Sequence, residues 1–184
     1  HSVAVAAGVS LDLPELILIA TDSVDVGENA HIQASGTNAN PGSVYATTGD
    51  SARLLVSTAK GAGISAQYAP GALPGQRGVL TAHAGSSLAA TGSIILDGAQ
   101  SMVLDGNLNP TAGSTVSLAS ASISLGNAPA GATGLVLNPG QLARLAGVDL
   151  QLKSRGSINL YAGTVLDAAN LALDASAIQG QLAT

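Results

Sequence analysis

Short runs of alternating apolar and polar residues recur along this chain, each closed by Gly, Asn, Asp or Ser. GSIILDG begins at Gly92, GSTVSLAS at Gly113, GLVLNPG at Gly134 and GSINLYAG at Gly156. Period-2 patches this short, bounded by turn formers, predict strands rather than helices. The first inward candidates of these runs are Ile94, Val116, Leu135 and Ile158. They are spaced by 22, 19 and 23 residues, and Ile178 follows after 20 more. A second strand set lies between them: MVLDG from Met102, ASISLGN from Ala121, VDLQL from Val148 and LALDA from Leu171. Nearer the N-terminus, Leu16 with Leu18, Val24 with Val26, and Ile32 make similar patches, separated by Asp22, Gly27, Asn29 and Gly36.

A repeat of about 20 residues cannot close a core alone, but stacked repeats extend one continuous core. We therefore expect an all-β fold: a right-handed parallel β-helix, or solenoid, with rungs of about 20 residues, loop insertions and one short helix. Each strand would pair with its equivalent one rung later, about 4.8 Å away. A β-sandwich is the structural alternative. It is disfavoured because the strands are short and two-residue hairpin turns between matched strands are not the rule here.

Two segments break the rhythm. Residues 37–90 are rich in Gly, Ser, Thr and Ala, and we read them as irregular rungs with long loops around a strand-like SARLLVS. Residues 138–147 read NPGQLARLAG. Asn138 suits an N-cap, Pro139 the first helical position and Gly147 the stop, so a short helical insertion is expected. The whole, residues 1–184, is read as a single solenoid segment of a longer chain. Residue 1 is His, so any targeting signal is expected to lie outside the piece.

Composition narrows the function classes. The chain has no Cys, Trp or Phe and only three Tyr, so Ala, Val, Leu and Ile must fill the core. Six Lys and Arg stand against eleven Asp and Glu. That balance argues against nucleic acid and against anionic membrane surfaces. No apolar run approaches the roughly 20 residues of a spanning helix, so no membrane insertion is expected.

Candidate chemistry is sparse. His1, His31 and His83 lie in different segments and lack metal-ligand spacing. Asp97 and Asp105 each precede Gly, as turn residues do; Asp149, Asp167 and Asp174 fall in or beside strands. Two carboxylates on neighbouring rungs would suit a glycosidase, but turn chemistry explains most of them. No GGxGxD, GxSxG or GxxxxGK[ST] motif occurs. The expectation is a non-enzymatic chain without cofactor or metal. Tyr68 and Arg77, in QYAPGALPGQRG, form the one Tyr–Arg neighbourhood and are the candidate ligand contact.

The order of the blocks resembles the filamentous-haemagglutinin family, the large exoproteins of two-partner secretion. The features that carry this are GSIILDG, MVLDGNL, GSTVSLASASISLGN and above all LNPGQLARLAGVDLQLKSRGSINLYAG, with SARLLVSTA before them. The resemblance covers most of the chain and implies a secreted, cell-surface β-helical shaft used in adhesion or aggregation. It implies export through an outer-membrane β-barrel transporter, and host-surface or matrix glycans or proteins as partners. No NPNG-like motif occurs, which places the piece inside the shaft. The alternatives are a carbohydrate-active enzyme on a β-helix and the shaft of a contact-dependent toxin-delivery protein. Far-ultraviolet circular dichroism should show a β-dominated spectrum with under about a tenth helix; helix near one-third, the level of ordinary globular domains, would defeat the solenoid expectation.

Overall fold

The alternating runs form strands too short to be stable singly, and their pairing partners lie mostly one repeat away. The computed structural model is all-β, 54% strand and 3% helix, with several parallel sheets. It describes residues 1–38, 42–67 and 77–181. Strands β1 (Ser2–Val5), β2 (Ser10–Leu13), β3 (Glu15–Ala20), β4 (Ser23–Val26) and β5 (His31–Ala34) come first. An excursion follows with β6 (Val44–Thr48), β7 (Ala52–Ser57) and β8 (Gly63–Gln67). Next come β9 (Val79–Ala82), β10 (Ser87–Ala90), β11 (Ser93–Gly98), β12 (Ser101–Leu104), β13 (Asn107–Pro110), β14 (Thr115–Ser120) and β15 (Ile123–Leu125). A second excursion holds β16 (Leu135–Leu137) and α1 (Pro139–Ala143), before β17 (Asp149–Ser154), β18 (Ser157–Leu160), β19 (Asn170–Asp174) and β20 (Ala177–Gly180).

The main sheets run β1-β4-β9-β12, β2-β5-β10-β13, β3-β7-β11-β14-β17-β19 and β16-β15-β18-β20. Within them, Ser2 sits opposite Ser23, Leu88 opposite Leu108 and Ile158 opposite Ile178. The alternation fixes which face is buried. Ile94, Leu96, Val116, Leu118, Leu135, Leu137 and Ile158 are fully buried in one continuous core, and Leu160 packs on it partly exposed. Each fully buried aliphatic side chain contributes about 1.5–3 kcal/mol of transfer free energy. Among the described residues, no helix is long and apolar enough to cross a membrane.

The sheets are not composed as the spacing of inward residues suggests. Ile94 and Val116 align with Leu150 and then Leu171. Leu135, Ile158 and Ile178 instead align with Ile123 in a different sheet. The cause is the second excursion. It is about as long as one repeat, so a spacing count reads it as a rung. The chain leaves β15, lays β16 parallel to β15 on its far side, and only then returns through α1 to β17. The helix takes the place beyond β13, where Arg144 reaches Asn109 and Leu142 and Leu145 plug the core. Asn138 caps it: its side chain accepts from the Gln141 N–H at 3.0 Å, and Gln141 Oε1 accepts from the Asn138 N–H at 2.9 Å. Gly147, at φ +70°, follows as the stop.

The first excursion does something alternation cannot announce. β7 returns from it antiparallel and fills the slot between β3 and β11. Ala52, Leu54 and Val56 face the core, while Leu55 faces outward beneath a second small cluster with Ile17, Tyr45, Ile64 and Ile95. The parallel pair β6–β8 supplies that cover. Tyr45 ties it to Glu15, which accepts from the Tyr45 hydroxyl at 2.8 Å and also from Asn38 at 2.9 Å and from Ser57 of β7 at 2.8 Å. The backbones approach closely here: a Cβ on Gly92 would stand 2.4 Å from the Thr58 carbonyl oxygen, so only glycine fits.

Arg53 also faces outward from β7, yet it is fully buried. It sits directly opposite Asp97 on β11, with Nη1 2.7 Å from Asp97 Oδ2. Nη1 also donates to the Ser51 carbonyl at 3.2 Å, Nε to Thr47 Oγ1 at 2.7 Å and Nη2 to the Gly49 carbonyl at 2.5 Å. A buried charge loses its hydration and is tolerated only when paired and hydrogen-bonded in this way. Asp97→Ala should therefore destabilise the fold by about 3–5 kcal/mol in urea melts, because it strands the Arg53 charge. Arg53→Met with Asp97→Leu should regain most of that loss. A single mutant within about 1 kcal/mol of the parent would mean that the pair is solvated.

Candidate functional site

The residue pair singled out in the sequence divides. Arg77 is exposed, and Tyr68 lies outside the described residues.

The carboxylates and histidines are mostly engaged in contacts between neighbouring strands. Asp97 is held by Arg53. Asp50 pairs with Arg155 at 3.1 Å. Asp149 lies 3.0 Å from the Lys60 ammonium and accepts from Asn170 Nδ2 at 2.6 Å, which aligns with it one strand away. His83 stands 3.1 Å from Asp25. Asp105, Asp167 and Asp174 are exposed. Among the described residues no group of three or more His, Asp or Glu side chains is placed to hold a metal.

Outward polar residues form rows across the ladders. Ser23 donates to Ser2 at 2.8 Å, Asn109 to Ser87 at 2.9 Å and Ser117 to Gln151 at 3.3 Å; Ser35 bonds Asp12. Because strands stack one repeat apart, like positions meet like positions, and short polar side chains satisfy one another across the step.

Concave surface arises where an excursion departs from this regularity. β16 is an added edge strand, and between it and β12, the edge strand of another sheet, lies a cleft of about 350 Å³. Val103, Asp105, Val136 and Gln141 line it, and Gln141 Nε2 donates to the Leu104 carbonyl at 2.6 Å. On the outer side of β15 and β18 lies a groove of about 410 Å³. Ser122, Ser124, Ser157 and Asn159 make its floor, Tyr161 one end, and residues 129–133 of the second excursion its wall. Ser122 fixes that wall by donating to the Thr133 carbonyl at 2.8 Å.

Sequence reasoning counted Tyr161 only as one of three aromatics and passed over Ser124 and Asn159. The signal was present, since both alternate with buried aliphatics. Bringing them together needed the alignment of Ser124 with Asn159, which a spacing count across the excursion misassigns.

Comparison with protein families, with curated proteins and with solved structures finds no match for this chain.

Two carboxylate-linked contacts leave a titration signature. The Tyr45 hydroxyl is pushed up from its ordinary value, first by its hydrogen bond to Glu15. The Asp149 carboxyl is held below its ordinary value, first by the Asn170 amide and then by Lys60. A depressed carboxyl contributes stability that is present above its unfolded value and lost as pH falls through its folded one. For Asp149 that window lies below about pH 4. In carboxyl-detected NMR titrations, Asn170→Ala should raise the Asp149 midpoint toward the ordinary carboxylate value, and Lys60→Ala should raise it too. An unmoved midpoint in Asn170→Ala would remove the amide from this account.

Proposed function

We propose that the chain is a stretch of right-handed parallel β-helix serving as a structural and adhesive shaft module of a secreted bacterial surface exoprotein of the filamentous-haemagglutinin type. The observation that carries this reading is the ladder arrangement: strands aligned with partners 20 to 22 residues on, as in Ser2 with Ser23, Ser93 with Thr115 and Ser157 with Ala177, around one aliphatic core. Such a core is extended by adding rungs, which is the property a shaft needs.

The state of the two outer rungs supports the same reading. Val3 and Leu13 align with core residues Val24 and Ala34, yet are 36% and 40% exposed. At the other extreme Leu171 and Ile178 align with the buried Leu150 and Ile158, yet are 46% and 51% exposed. Further rungs of a parent chain would cover these positions. Export through an outer-membrane β-barrel transporter fits a core that assembles repeat by repeat, since each rung buries its apolar face on the one before.

The pairing of Asp97 with Arg53 and of Asp149 with Lys60 and Asn170 gives these carboxylates structural partners, which favours the adhesive over the hydrolytic reading. The test joins two assays on the purified chain. Beads coated with it should adhere to cell and matrix surfaces, weakly per copy and strongly at high density, because many weak contacts act together. Polysaccharides incubated with it should release no new reducing ends. Cleavage that disappears in Asp167→Asn would replace the adhesive reading with a hydrolytic one.

A further inference from the structure

The groove beside β15 and β18 has an uncharged floor with unused hydrogen-bonding capacity. Ile123 and Leu125 are fully buried on the inner side of β15, so alternation aims Ser124 outward into the groove. Ser124 is only 3% exposed, and its hydroxyl has no hydrogen-bond partner among the described residues. Its Oγ meets solvent on the groove side, where a ligand group can replace the water it bonds.

One strand away, Asn159 aligns with Ser124. Its Oδ1 accepts from Gln181 Nε2 at 3.2 Å, while its own N–H donors have no acceptor among the described residues. Two residues on, Tyr161 is half-buried at the groove's end, and its hydroxyl is likewise without a partner among the described residues. Among the described residues, no charged side chain lines the groove.

We propose that this groove binds a neutral saccharide, with a C–H face of a sugar ring against Tyr161 and ring hydroxyls bonded to Ser124 and Asn159. The donor and acceptor types fit. A sugar hydroxyl both donates and accepts, and so do Ser and Tyr hydroxyls, while the Asn159 amide supplies donors. An aromatic ring with a polar tip suits a ligand with an apolar face and a polar rim. The volume of about 410 Å³ falls within the roughly 300–1,000 Å³ of small-ligand sites. The absence of Arg and Lys from the lining argues against sulfated or phosphorylated sugars, which call for charge-assisted bonds. The inference rests on the adhesive reading for its biological use; the chemistry of the groove stands on these side chains alone.

The experiment uses the 184-residue chain, isotopically labelled, titrated by NMR. The probes are neutral disaccharides containing glucose, galactose, mannose or N-acetylglucosamine, with a sulfated disaccharide and an unrelated decapeptide beside them. At least one neutral disaccharide should give saturable shifts centred on Ser124, Asn159 and Tyr161. Tyr161→Ala should weaken that binding by about tenfold or more, the scale of losing a stacked ring and one hydrogen bond. Asn159→Ala should weaken it too, with the melting transition of the parent retained, which keeps the test open should Tyr161→Ala fail to fold. No shift with any neutral disaccharide, unchanged affinity in both variants, or preference for the sulfated sugar or the peptide would each overturn the proposal. Bead adhesion that persists without saccharide binding in the groove would sink this site and leave the adhesive reading standing. Groove binding without bead adhesion would do the reverse.

Discussion

A strand of four residues makes too few hydrogen bonds to persist alone, and an isolated pair is marginal in water. The parallel ladder between strands one repeat apart removes that weakness. It satisfies backbone donors and acceptors on both sides of each inner strand and sets like side chains above like. Ile123 over Ile158 over Ile178, and Ile94, Val116, Leu150 and Leu171 in another sheet, form aliphatic columns as a direct result. Branched and small aliphatics fill these columns, as a chain without Phe or Trp requires.

The two excursions depend on the ladder and also modify it. β7 enters the ladder reversed, and β16 enters as an extra strand. Each brings chemistry of its own. The reversed strand carries the Arg53–Asp97 pair and needs the β6–β8 cover to keep it dry. The extra strand opens the cleft beside β12, and its flanking loop walls the Tyr161 groove. Both of these concavities border an insertion.

Sequence patterning captured what is local. The strand parity at Ile94, Val116 and Ile158, and the cap, start and stop of α1 at Asn138, Pro139 and Gly147, follow from alternation and backbone preference, which need no knowledge of neighbours. It did not capture what is relational. Alternation has no direction, so nothing in ARLLVS marks β7 as antiparallel. An insertion as long as a repeat imitates a repeat, which set Leu135, Ile158 and Ile178 in line with Ile94 and Val116 in place of Leu150 and Leu171. Burial of Arg53 depends on cover contributed by β6, which pattern alone cannot assign. Ser124, Asn159 and Tyr161 looked ordinary for the same reason: their significance is mutual, and the alignment that joins them crosses the misread segment.

The reversal of β7 has one more consequence. A ladder of similar parallel strands is a degenerate code: slipping a strand by one whole repeat still places an aliphatic on an aliphatic and a serine on a serine, so wrong alignments lie close in energy to the right one. An antiparallel strand breaks that degeneracy. Its hydrogen-bonding pattern differs from that of every parallel neighbour, and only one alignment puts Arg53 opposite Asp97. β7 thus acts as punctuation in a repetitive text, fixing where counting starts for the parallel strands on either side.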